Sequence, residues 1–298
     1  MRPDNLSHLA AFASVARHAS FRKAGAELTL STSAISYAIR GLEERLGVML
    51  FHRTTRSVSL TEAGQRLLER LEPALRDVGD ALEEMNDFRA APSGTLRINM
   101  PRITAQLILP PLLPRFLSAY PDVRFEAVDN DGLIDIVASG FDAGIRFLEQ
   151  VPEDMIAVPI GGPHRSVCVA TPGYLAARGT PLHPNDLMRH ECIRFRFPSG
   201  RIYKWEFEQA GRKLDVDVPG RLTFADFRLS LDMALTGVGL TFVLEEQVTP
   251  FIEDGRLVRV LEDWCPPYPG FMLYYPRQRR VTSALRAFID LIRDDGTA

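Results

Sequence analysis

The chain has 298 residues, of which 46% are hydrophobic and 24% charged, and its net charge is −3. That length allows one large domain or two to three ordinary ones with a substantial core, and the composition is that of a globular protein rather than a disordered or collagen-like one. No apolar run approaches the roughly 18 residues that span a bilayer, and the first residues form no charged-then-apolar signal segment, so a cytoplasmic location without a membrane partner is expected.

Charge is unevenly placed. Met1 to Arg66 carries 9 Lys or Arg against 5 Asp or Glu, a balance of +4, and the remainder carries 26 against 33, or −7. A basic head on an acidic body fits a DNA-binding domain joined to a separately acting one. Leu6 to His18 reads as an amphipathic helix with Leu9, Phe12, Val15 and Ala16 inward. Ser20 stands where a helix N-cap belongs, and Phe21, Ala24, Ala26 and Leu28 follow as a short apolar-faced helix. After Thr29, Leu30 and Ser31, a second helix from Thr32 places Ile35, Ile39, Leu42 and Leu46 at spacings of 4, 3 and 4. Two short helices joined this tightly make either an αα-hairpin with a solvated polar face or a helix-turn-helix whose second helix enters a major groove. That face carries Thr32, Ser33, Ser36, Tyr37 and Arg40, and Ser20, Arg22 and Ser31 lie at the helix starts. Small hydroxyls permit close approach, and a guanidinium fork suits guanine or phosphate. The segment HRTTRSVSLT then brackets a polar tip with Arg53, Arg56, Val58 and Leu60, as a hairpin wing does, and its arginines would lie along a phosphate backbone.

Ala11 to Gly64, AFASVARHASFRKAGAELTLSTSAISYAIRGLEERLGVMLFHRTTRSVSLTEAG, resembles the winged helix-turn-helix of the LysR-type transcriptional regulators almost residue for residue. The resemblance implies that Thr32 to Arg40 is the recognition helix, that Ser36 and Arg40 face DNA, and that Arg53 and Arg56 belong to the wing. Thr32, Ser33 and Tyr37 stand where the family often has Gln, Pro and Arg or Lys, a departure that bears on the operator sequence and not on the fold. Residues 1–61 are thus expected to form the DNA-binding domain.

From Thr61 a long helix shows Leu68, Leu71, Leu75, Val78, Leu82 and Met85 at spacings of 3, 4, 3, 4 and 3, a heptad seam amid charged residues. Residues 62–90 are therefore expected to be a linker helix that pairs with a second protomer in a homodimer, with a homotetramer left open; packing on its own chain is the alternative. Pro73 is a candidate kink, and the breakers after Arg89 should end the helix.

Beyond Gly94, strands at Leu96–Met100, Val123–Val128 and Ala143–Phe147 alternate with helices at Gln106–Tyr120 and Leu133–Ser139, which predicts a parallel sheet with helices on its faces. After Pro163, strands are expected at Val167–Ala170, Cys192–Phe195, Lys204–Phe207, Lys213–Val218, Leu240–Val243 and Met272–Tyr275, with helices at Gly173–Arg178, Phe227–Leu235 and Val281–Arg293. The pieces SGTLRINMP, FLSAYPDVRFE, SGFDAGIR, ATPGYLAARGTPLHPNDLMRHECI and ALTGVGLTF are similar to the two-lobed, periplasmic-binding-protein-like effector domain of the same family. The expected class is α/β over 91–298, with lobe I at about 91–163 and 269–298 and lobe II at about 164–268.

In such folds a small molecule binds outside the carboxyl ends of the strands. The candidates are a loop of Met100, Pro101, Arg102, Ile103 and Thr104, then Asn130 and Asp131, Arg146, and from the second lobe Arg196, Phe197 and Asp226. Arg102 and Arg146, with a helix N-terminus near Thr104, point to an anionic effector. An enzyme in the same cleft is the competing reading, but there is no GxSxG, phosphate-cradling glycine loop or metal-ligand spacing, so no cofactor, metal or catalytic residue is assigned. Cys168, Cys192 and Cys265 suggest neither a disulfide framework nor a zinc site, and a redox sensor stays as a third reading.

Overall fold

The computed structural model describes residues 3–54, 57–84, 91–278 and 280–294. It falls into two compact units, Met1–Phe88 and Arg89–Ala298.

In the first unit, α1 (Pro3–His18), α2 (Phe21–Glu27) and α3 (Thr32–Leu46) precede a two-stranded wing, β1 (Phe51–Arg53) with β2 (Val58–Leu60), and the long helix α4 (Glu62–Glu84). Ser20 caps α2 by accepting from the Lys23 amide, and Ser31 caps α3 by accepting from the Ala34 amide. A Cβ at Gly25 would sit 2.6 Å from the Leu30 carbonyl oxygen, so only glycine lets α2 lie this close to the turn. Phe12, Val15, Ala24, Ile35, Ile39 and Leu42 are wholly buried in one core with Leu50 and Phe51. Leu46, expected in this stripe, is exposed because α3 ends at left-handed Gly47 with its last turn beyond the core, and Ala26 on α2 is exposed as well.

The expected dimerisation seam divides. Leu71 is buried, and Leu68 and Leu75 pack against the head core together with Leu67. In that half Leu71 is a core residue of its own chain, and half-buried Leu68 and Leu75 pack beside it. Val78 is exposed. Met85 and the Leu82 side chain lie outside the described residues, as do Arg56 and the helix end expected near Arg89. Pro73 sits inside α4 without ending it.

The second unit has two lobes. The first holds β3 (Gly94–Met100), α5 (Arg102–Ala119), β4 (Val123–Asp129), β5 (Ala143–Phe147) and β6 (Met155–Ile160). The chain's last elements, β14 (Phe271–Pro276) and α9 (Ser283–Asp294), return to it. Its sheet runs β4-β3-β5-β14-β6. The expected parallel pairing holds for β3 with β4 and β5, but β14 is antiparallel to both neighbours, making the sheet mixed. Ile108, Leu112 and Phe116 of α5 pack with Phe288 and Ile292 of α9 over Leu96 and Ile98. β6 escaped the sequence reading because Pro159 interrupts it, and it survives as the sheet's edge, where a missing donor is tolerated. The helix expected at Leu133–Ser139 is a series of turns: Asp135 accepts from Ala138 and Ser139 amides, and Gly140 at φ 74° closes the loop.

The second lobe holds β7 (Ser166–Ala170), α6 (Pro172–Arg178), β8 (Ile193–Phe195), the hairpin β9 (Trp205–Gln209) and β10 (Arg212–Val216), β11 (Leu222–Phe224), α7 (Phe227–Leu235), β12 (Thr241–Leu244), α8 (Glu245–Glu253) and β13 (Val258–Val260). β8 and β11 are parallel, a parallel bridge joins Cys192 to Leu240, and β7 runs antiparallel to β12 and β13. α8, whose N-cap residue Leu244 offers no capping side chain, and the three-residue β11 and β13 gave no sequence signal. The two crossings between lobes are pinned together by His164 and Tyr268, whose amides donate to each other's carbonyls at 3.1 and 2.9 Å.

Candidate nucleic-acid interface and effector cleft

Helical periodicity puts Thr32, Ser33, Ser36, Tyr37 and Arg40 on the side of α3 opposite Ile35, Ile39 and Leu42. Thr32, Ser33, Tyr37 and Arg40 are exposed, Tyr37 to 75%, and Ser36 is half-buried. Arg22 on α2 is exposed too. The Ser20 and Ser31 oxygens are engaged in their caps, and Ser31 also bonds Ser33 at 2.9 Å.

Arg53 departs from expectation. Its Nη2 donates to Glu43 Oε2 at 2.6 Å, and its guanidinium lies 5.0 Å from the Phe21 ring centroid. It is a brace between wing and α3, not a free phosphate clamp. Glu43, 6% exposed, also accepts from the Leu50 and Phe51 amides at 2.8 and 3.3 Å. One buried carboxylate thereby fixes the wing to the recognition helix. The sequence reading missed it, although a glutamate directly after the buried Leu42 was a signal. Glu27 has a similar part: burial opposes its ionisation, but the Ser14 hydroxyl, Arg17 and His18 together pull its carboxyl below the usual range, tying α1 to α2.

In the second unit the expected loop from Met100 to Thr104 shrinks to Pro101. Met100 ends β3 and is buried, while Arg102, Ile103 and Thr104 form the first turn of α5. Thr104 is wholly buried, and its hydroxyl has no hydrogen-bond partner among the described residues. Arg102 carries the main finding. Its Nε donates to Asp129 of β4 at 2.8 Å, its Nη1 to Asp226 of the other lobe at 2.9 Å, and its backbone amide to Asp131 at 3.0 Å. Asp129 first and Asp226 second hold the guanidinium more firmly protonated. Asp226 in turn caps α7 through the Arg228 and Leu229 amides. Burial alone would raise its carboxyl, but these amides and Arg102 bring it below the usual range.

Arg146 is 1% exposed and faces inward. It donates to the carbonyls of Ile145, Asn130 and Gly132 and to Asn99 Oδ1, at 2.6 to 3.0 Å. Burial lowers its pKa, with Tyr274 and Asp131 opposing. It holds the 130–132 loop against the sheet, so the reading of Arg146 as an anion ligand is corrected to a scaffold role; Asn130 is oriented by it and accepts from the Gly132 amide. Arg196 donates to the Gly200 carbonyl, and Phe197 packs edge-on against Phe195 and Tyr203. The structure thus brings Arg102, Asp131 and Asp226 together, adds Asp129, and removes Met100, Thr104 and Arg146 from the cleft surface.

Two family descriptions cover this chain: residues 6–65 match "Bacterial regulatory helix-turn-helix protein, lysR family" and residues 89–297 match "LysR substrate binding domain". The chain belongs to the LysR-type transcriptional regulators. It is 47% identical over 289 residues to the HTH-type transcriptional regulator YcaN of Escherichia coli, covering 97% of this chain and 95% of that protein. To PgrR of the same organism it is 37% identical, with 99% of each chain covered. Among solved structures it is similar to the full-length Vibrio cholerae virulence activator AphB, with a TM-score of 0.68, 26% identity and 99% of each chain covered. CrgA from Neisseria meningitidis gives a TM-score of 0.60 at 28% identity, covering 97% of this chain and 98% of that one.

A LysR-type regulator binds DNA through its winged helix-turn-helix and a small effector through its second domain, and works as an oligomer. Among the described residues no helix is long and apolar enough to cross a membrane, and no cluster of His, Cys, Asp or Glu is placed to hold a metal ion. Cys168, Cys192 and Cys265 are all buried in the second lobe. Burial pushes the Cys192 thiol up to about 12 and the Cys265 thiol to about 11, and raises Cys168 well above the ordinary range. Thiols held protonated in this way are poor nucleophiles, which weighs against the redox reading.

Proposed function

We propose that this LysR-type regulator acts in the cytoplasm as a homodimer, reading a two-fold-related operator with Ser36, Tyr37 and Arg40 of each recognition helix. The observation that carries this is the exposed polar face of α3, where Tyr37 and Arg40 have no partner among the described residues while the opposite face is fully buried. Polar groups held on a rigid helix without internal partners are ready to exchange water for base edges and phosphates. Purified protein should prefer a promoter fragment beside its own gene over random duplex at fixed salt; equal affinity for both would overturn the reading. Exposed Val78 on α4 supports pairing of protomers through that helix, and light scattering at micromolar concentration should return at least a dimer.

For the effector, the reading is an anion that enters between the lobes and competes with Asp226 for Arg102. The Arg102 bridge from Asp129 to Asp226 supports this, since an incoming carboxylate would exchange one charge partner for another and release one lobe from the other. A ligand shifts a conformational equilibrium only by its differential affinity for the two states, and breaking this bridge supplies that difference. Protection of the operator from nuclease should change when such an anion is added, and an Arg102→Ala variant should show no change.

A further inference from the structure

The second lobe has two ends. β8, β11 and β12 run in the same direction, as the β8–β11 pairing and the parallel bridge from Cys192 to Leu240 establish. Their carboxyl ends lead into Arg196, Asp226 and Glu245, and Asp226 there meets Arg102 of the first lobe. At the opposite pole, the residues that enter these strands and those that leave antiparallel β7 surround a separate cavity of about 620 Å³. That is within the range of small-molecule sites, roughly 300–1,000 Å³. The chain beside it is tightly packed: a Cβ at Gly220, between the lining residues Pro219 and Arg221, would fall 1.8 Å from the Cys192 carbonyl oxygen, and one at Gly239, next to the lining residue Val238, would fall 2.4 Å from the Glu191 carbonyl oxygen.

The lining is cationic. Arg178, Arg189 and Arg221 contribute guanidinium groups, with His190, Tyr174 and Glu191 between them. Glu191 answers one of these charges, accepting from the Arg221 amide at 2.6 Å and from its Nε at 3.3 Å, which leaves the outer guanidinium nitrogens of an 89% exposed side chain unused. Arg178 and Arg189 have no carboxylate within ion-pair distance among the described residues. Asp186 feels Arg189 electrostatically, but its carboxylate accepts from the Leu182 and His183 amides. Tyr174 accepts from the Glu191 amide at 2.9 Å and lies 3.2 Å from His190 Nδ1. Either group can donate in the Tyr174–His190 contact, and it ties the imidazole to the wall of the cavity. Burial lowers the pKa of the His190 imidazole, with Asp186 opposing and Arg178 adding to the depression.

We propose that this polar cavity, at the end of the second lobe away from the effector cleft, is a second ligand site that takes a small polyanion of the phosphate-ester class. Two guanidiniums without acid partners suit the paired oxygens of a phosphoryl group, and the Glu191 carboxylate beside them suits a hydroxyl or amino group on the same molecule. The proposal is independent of the cleft reading.

Full-length protein titrated calorimetrically with pyrophosphate, at matched ionic strength against chloride, provides the test. Saturable binding is expected, unchanged in Arg102→Ala and weakened at least tenfold in an Arg178→Gln, Arg189→Gln double variant. Both substituted side chains are exposed, and Arg178→Lys, which keeps the charge and loses the fork, should fall between. Absence of saturable binding, equal affinity in the double variant, or loss of binding in Arg102→Ala would each overturn the proposal. So would a double variant that changes oligomeric state at unchanged pyrophosphate affinity, since the arginines would then serve an interface between copies.

Discussion

The recognition helix and the effector cleft treat their charged groups in opposite ways. On α3, Tyr37 and Arg40 project from a fully buried backing and have no partners among the described residues. In the cleft, Arg102 is bound by two aspartates and Arg146 by three carbonyls and an asparagine. A surface that meets a long polyanion profits from standing ready, because its partner always carries the charge it needs. A site that must switch profits from internal partners that a ligand can replace.

The largest effect should come from the link that holds the ready surface in place. Glu43→Ala orphans two buried amides and frees Arg53; at about 1–3 kcal/mol for each orphaned group, head stability should fall by about 3 kcal/mol. Chemical unfolding followed in the isolated head and in the full chain would measure it, and a loss below about 1 kcal/mol would mean that the wing docks by apolar packing alone. Next in size, Arg40→Ala should weaken operator binding by about 1–3 kcal/mol at fixed salt while leaving stability unchanged. Undiminished affinity by fluorescence anisotropy would remove Arg40 from the interface.

Asp226→Asn probes the other side of the contrast. Asparagine still caps α7, so the helix is kept and only the negative charge facing Arg102 is lost. X-ray scattering of the ligand-free protein should report a small loosening of the second unit. Because Asp226 has a depressed pKa when folded, its contribution is complete above the unfolded value near 4 and fades as pH falls through the lower folded value. The difference between wild type and variant should accordingly vanish in strong acid, and a difference that persists there would have to come from packing. The smallest effect is a null one. The buried thiols should resist iodoacetamide at about pH 8 until the protein unfolds, and Cys192→Ser with Cys265→Ser should leave DNA binding insensitive to peroxide, as in wild type.

The head was largely legible in sequence because its information is local. Caps at Ser20 and Ser31, a 3-4 apolar spacing and a wing within ten residues all act over one or two turns of chain. Local spacing is silent where a distant partner intervenes: nothing in HRTTR announces that Glu43 waits beneath Arg53. On α4, periodicity leaves open whether Leu68, Leu71 and Leu75 face a second protomer or their own chain, and the structure shows them packed, wholly or in part, against the head core.

By itself, then, the sequence determined the order of elements, the buried face of each head helix and the basic character of the DNA-binding unit, all set by side chains a few residues apart. Only the tertiary structure decided which charges remain available. Asp129 and Asp226 come to Arg102 from 27 and 124 residues away, and Asn99 comes to Arg146 from 47. Pairing over such separations follows from how the sheets close, because a charge's partner is fixed by distance in space, which spacing along the chain does not record.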